Sequence, residues 1–105
     1  MQTINEKTTY VVNLAFKDEN EAPVTPNSAQ YSLYNYTANF NVKDLTTITI
    51  TGSNVDLEIP YSDNSIIKST NDYEVMLLTV QYVFDTDKRG TSEHRYLIKN
   101  LKKIS

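Results

Sequence analysis

The chain carries a single histidine, His94, and no cysteine. Thiolate nucleophiles, thiolate metal sites and disulfide frameworks are therefore excluded. His94 has the chemistry of a general acid or base. Its place in the run His94, Tyr96, Ile98, alternating with Arg95, Leu97 and Lys99, puts it inside a strand, where a lone histidine is ordinarily packed or hydrogen-bonded. No serine stands in a GxSxG setting, the strained turn that exposes a hydrolase nucleophile. The segment DTDKRG, Asp85 to Gly90, has acids at the first and third positions of a calcium loop and glycine at the sixth. Its fifth position is Arg89 and its twelfth is Tyr96, where the ion needs an oxygen ligand and a bidentate glutamate, so a charged hairpin turn is the better reading. Asp18, Glu19 and Glu21 read as a solvated acidic loop. Asn35-Tyr36-Thr37 fits the glycosylation acceptor pattern in a chain with no export signal, and the match reads as chance. The sequence thus predicts no catalytic residue, no cofactor and no metal ligand.

Two sets of residues remain that suit contact with another molecule. The chain has eight tyrosines and no tryptophan, and tyrosine offers large contact area with a polar tip. Tyr34, Tyr36 and Tyr61 fall near strand ends or off the inferred core face, where each serves packing as readily as recognition. The second set is basic. Residues 1 to 63 hold three lysines against eight carboxylates, whereas from Lys88 onward six basic residues face only Glu93. Arg95, Lys99, Lys102 and Lys103 are candidates for docking on an acidic surface, set against the alternative of a solvated C-terminal face. The basic residues are too sparse, and too little interleaved with aromatics, to predict nucleic-acid binding.

At 105 residues the chain fits one domain, 1–105, with one core. MQTINEK lacks the basic-then-apolar pattern of an export signal, and nowhere do 18 apolar residues run together, so the expectation is a soluble chain with no membrane span. Few glycines and prolines interrupt a sequence rich in Thr, Tyr, Val and Ile, which suits β structure. Tyr10, Val12, Leu14 and Phe16 alternate with more polar residues until KDENEAP turns the chain. Ala29, Tyr31 and Leu33 mark a second strand, and a weaker alternation runs through Ala38, Phe40 and Val42. Ile48 and Ile50 predict a short strand before a turn at Gly52. Val55, Leu57 and Ile59 form the next, stopped by Pro60.

Ser62 is a good N-cap and Asp63 suits a helix N-terminus, predicting one or two helical turns between Ser62 and Thr70, with Ile66 and Ile67 covering the open end of the core. From Val75 to Phe84 the first half is apolar on both faces, as in a central strand covered on both sides, with Leu78 and Val80 in the core. About seven short strands, with a short helical turn before the penultimate one, predict an all-β, immunoglobulin-like β-sandwich without the hallmark Cys and Trp.

The opening MQTINEKTTYVVNLAFKDENEAPVTPNSAQYSLYN resembles small uncharacterised proteins encoded by tailed bacteriophages and prophages, which share an INEGTT opening, a strand, a DxxGxPVxP turn and a second strand. The likeness continues through VKDLTTITITGSNVDLEIPYSDNSIIKSTNDYEVMLLTVQYVFD and ends in YLIKNLKKIS. Lys7 stands at the glycine of the opening motif, Glu21 at the glycine of the turn, and Leu45 at a position often aromatic. The resemblance implies an immunoglobulin-like virion component from the head or neck, such as an auxiliary or decoration protein bound in many copies to the major capsid protein or other virion proteins and assembled in the host cytoplasm. It carries no catalytic set. The alternatives are a head–tail connector or tail component, or a module that recognises a carbohydrate or cell-surface ligand through loops at one end of the sandwich. A small enzyme is the weakest reading.

Overall fold

The computed structural model describes residues 1–101; Lys102 and Lys103, two of the basic candidates, lie outside them. Among the described residues there are seven strands: β1 (Gln2–Asn5), β2 (Tyr10–Ala15), β3 (Ser28–Asn35), β4 (Phe40–Thr47), β5 (Asn54–Ile59), β6 (Tyr73–Phe84) and β7 (Lys88–Lys99). They form a five-stranded sheet in the order β1-β7-β6-β3-β4 and a two-stranded sheet of β2 and β5. In an immunoglobulin sandwich strands C, F and G share one sheet while B and E share the other. Here β3, β6 and β7 take the first three places and β2 and β5 the other two, with β4 extending the larger sheet beyond β3. All pairings are antiparallel except that of β1 with β7, which is parallel.

The core follows from the alternation. Val12, Leu14 and Phe16 from β2 and its continuation, and Val55, Leu57 and Ile59 from β5, face Ala29, Tyr31, Leu33, Met76, Leu78, Val80, Tyr96 and Ile98 of the larger sheet. Leu78 and Val80 are fully buried, as expected.

Four expectations need correction. Ile48 and Ile50 do not form a strand of their own; the chain runs as one β4 from Phe40 to Thr47, and Ile48 reaches the core just beyond its end. Register shifts between β3 and β4 near Leu33 scramble the alternation there, because a bulge re-aims the side chains that follow it. Ser62 caps nothing by its side chain: the helical element is a single 3-10 turn, Tyr61–Asp63, with Pro60 at its N-cap. Ile66 packs on the core but Ile67 stays exposed. Finally, β6 is central, yet only the face bearing Glu74, Met76, Leu78 and Val80 is buried, while Val75, Leu77 and Thr79 are half-buried on an open outer face. β1 was not anticipated at all. Its sequence QTIN has little apolar character, and it exists as a strand through its ladder with Tyr96–Lys99.

The connection from β5 to β6 is fixed by buried polar groups. Glu74 has no exposed surface, and its carboxylate accepts from the backbone N–H of Ile67 (2.7 Å) and of Lys68 (3.0 Å) and from the side-chain amides of Asn71 (3.0 Å) and Asn35 (2.8 Å). Burial acts to raise its pKa, and these four donors outweigh burial and hold it below the ordinary value. Asn64, equally buried, accepts from the Tyr96 hydroxyl (2.7 Å) and donates to the carbonyl of Thr8 (2.8 Å). Burial raises the Tyr96 phenol well above its usual range, which keeps it a donor.

Candidate functional site

The outer face of the five-stranded sheet is where the candidate contact residues meet. Side chains that point away from the core on neighbouring strands are brought side by side by the registers: Tyr34 lies opposite Leu77, which lies opposite Arg95, and the next row sets Thr3, Leu97 and Val75 beside one another. Tyr34, Leu77, Val75 and Leu97 are all half-buried, although among the described residues no strand packs on this face as a second layer. Tyr36, just past the end of β3, is anchored by its backbone N–H to the carbonyl of Val75 (2.8 Å). Its ring centre lies 5.6 Å from the Arg95 guanidinium carbon, a cation–π contact worth about 0.5–1 kcal/mol at an exposed site. Tyr34 donates its hydroxyl to the Asn39 side chain, closing the β3–β4 hairpin over the same row. Leu45 and Tyr73, both exposed, belong to the strands that carry this face.

Along β7 this face is mainly basic. Glu93 pairs with Arg95 (3.3 Å), and Lys99, opposite Tyr73 at the end of β7, is exposed. Arg89, Arg95 and Lys99 all lie on β7 with Glu93 as the only acid between them. Of the sequence candidates described, Tyr34, Tyr36, Arg95 and Lys99 are thus brought together. Tyr61 is not. It sits on the 3-10 turn beyond β5, next to Asp63, whose carboxylate pairs with Lys43 (2.7 Å) near the inward-facing Tyr31. The Asp63 carboxylate raises the Lys43 pKa against the opposing effect of partial burial. Leu77, Val75 and Leu97 escaped the sequence reading, because an apolar run on both faces of β6 looks the same whether a second layer covers it or not.

The groups with catalytic or metal-binding chemistry have structural partners. His94 faces the inner side of β7, half-buried, with Nε2 at 3.5 Å from Ser92 Oγ, longer than the roughly 2.6–3.2 Å of an activated nucleophile and its base. Asp18 accepts from the backbone N–H of Asn20 (2.8 Å) and Ala22 (3.0 Å), shaping its own loop. Glu19 pairs with Lys88 (2.7 Å), which also lies 3.7 Å from Asp85. Among the described residues no cluster of His, Asp and Glu is grouped to hold a metal ion. Asn35 is buried with its amide nitrogen on Glu74, which leaves the acceptor amide of the glycosylation motif inaccessible.

Lys7 and Glu21, the two positions where the resembled motifs carry glycine, have φ of 57° and 62°. This left-handed conformation strains any residue with a Cβ and suits glycine. The chain matches no protein-family model, no curated protein and no solved structure.

Proposed function

We propose that this chain is a structural component of a bacteriophage virion, an auxiliary or decoration protein that binds the capsid lattice through the outer face of its five-stranded sheet, and that it is not an enzyme. The observation that carries the reading is the apolar and aromatic row Tyr34, Leu77, Val75 and Leu97, rimmed by Tyr36 on Arg95 and by Lys99. An apolar centre with an aromatic–arginine rim is the composition of a protein interface. The excess of positive charge disfavours a second copy of the same face and favours a partner surface that is apolar at its centre and acidic at its edge.

The assignment to a virion comes from the sequence resemblance, supported by left-handed backbone at Lys7 and Glu21 where the resembled motifs have glycine. Repetition on a lattice lets each copy bind modestly and still be retained. The test is occupancy on purified particles for Tyr34→Ala, Tyr36→Ala, Arg95→Ala and Tyr61→Ala. Loss in the first three variants, weaker wild-type occupancy at high salt, and Tyr61→Ala unchanged is the expected pattern. Loss confined to Tyr61→Ala points instead to a module that binds through the end of the sandwich, and absence of the wild type from particles ends the virion reading.

A further inference from the structure

The sandwich has an open seam between β2 and β7. β7 pairs with β6 along its whole length, but β1 covers only Tyr96–Lys99 on its other side. In an unbroken antiparallel ladder each residue either exchanges both backbone hydrogen bonds with its partner or turns both groups to the opposite side. The Lys99 carbonyl accepts from Glu6 N–H (2.9 Å), so Lys99 turns away from β6. Counting back by twos, Arg95, Glu93, Thr91 and Arg89 direct their N–H and C=O groups into the seam. Among the described residues β2 pairs with β5 alone, and a groove of about 310 Å³ is lined on one side by Asn13 to Lys17, in β2 and just beyond it, and on the other by Ser92 and His94.

We infer that the uncovered edge of β7 from Arg89 to Arg95 is a strand-addition site for an extended polypeptide segment of a protein partner, one that carries carboxylates where it passes Lys17 and Arg89. A row of N–H and C=O groups without a partner among the described residues, in line with β1, is matched by another strand and by no compact ligand. The charge requirement comes from the ion pairs at that end. Lys88 is engaged by Glu19 and Asp85, and Glu93 by Arg95, whereas Lys17 and Arg89 have no ion-pair partner among the described residues. Gly90 belongs to the same end: a Cβ there would lie 2.2 Å from the Tyr82 ring, whose hydroxyl donates to the Lys17 carbonyl (2.8 Å). The Tyr82 ring thus closes the groove next to Lys17, and the incoming segment passes outside it. This site lies on the edge of the sheet and stands or falls independently of the capsid reading.

The experiment is amide hydrogen exchange of the whole chain, with a short peptide of alternating threonine and valine ending in a pair of glutamates, against the same peptide ending in two lysines. At near-saturation the glutamate peptide slows exchange at Thr91, Glu93 and Arg95 by about tenfold, and the lysine peptide does so more weakly. Thr91→Pro removes an edge donor that β6 does not use, so it keeps the fold and loses the protection. Arg89→Glu reverses the preference between the two peptides. No slowing in the wild type overturns the proposal, as does protection that persists in Thr91→Pro. Should Thr91→Pro fail to fold, an unchanged peptide preference in Arg89→Glu overturns it as well.

Discussion

The two ends of the sandwich hold their loops by opposite means. At the end where β3 and β5 finish, the chain is tied by polar groups without access to water: Glu74 gathers four donors, and Asn64 bridges Thr8 and Tyr96. At the other end, the Asp18 loop and the β6–β7 turn meet through Lys88 and Glu19, which are about half exposed. A buried carboxylate with every lone pair satisfied fixes one geometry, because any alternative strands a charge away from water. An exposed ion pair is screened by solvent and exchanges one geometry for another at little cost. The first end therefore presents Tyr34 and Tyr36 on a rigid platform, while the second adapts.

The largest expected effect comes from breaking the rigid end. Glu74→Gln places an amide NH2 against donors that need an acceptor and should lower stability by about 3 kcal/mol or more, measured by denaturant unfolding. The pH dependence has a definite sign. Because the folded pKa of Glu74 lies below its ordinary value, its contribution is present above the unfolded pKa, near 4.5, and is lost as pH falls through the lower folded value. Wild-type stability should therefore fall on acidification below that point more steeply than that of Glu74→Gln, and parallel acid profiles would contradict the latch. Tyr96→Phe leaves Asn64 short of one buried donor and should cost about 1–3 kcal/mol.

Smaller changes sharpen the comparison. Lys7→Gly and Glu21→Gly relieve left-handed strain, offset by the greater freedom of glycine in the unfolded chain, and each should raise stability by up to about 1 kcal/mol. A loss at both positions would argue against the backbone described. At the adaptable end, Lys88→Ala should leave the melting temperature within error, since its partner Glu19 is as exposed as it is.

Much of the fold was legible where one face is buried and one is wet. Val12, Leu14 and Phe16, and Val55, Leu57 and Ile59, announce their strands by strict alternation, and all are buried. β1 was not legible because a short edge strand borrows its order from β7, and polar residues such as Gln2 and Asn5 give no local sign of that. Ser62 misled because a capping side chain is informative only if a helix follows, and here the turn ends at Asp63. Glu74, set between Tyr73 and Val75, carries no local sign of burial, because its partners Asn35, Ile67 and Asn71 are assembled only by the tertiary fold. Tyr34 and Tyr36 stood out by residue type, but the aliphatic residues between them and β7 did not, since an apolar residue on an uncovered face carries no mark of exposure.

The most direct test of the contact face uses two tyrosines that differ in place and hardly at all in exposure: Tyr36 is 60% exposed and Tyr61 is 61%. Iodination of the free protein should label both at similar rates. On particles, Tyr36 should become protected while Tyr61 keeps its reactivity, because only Tyr36 borders the outer face of the five-stranded sheet. Protection of Tyr61 with Tyr36 still reactive, or equal labelling of both in free and bound protein, would contradict the account.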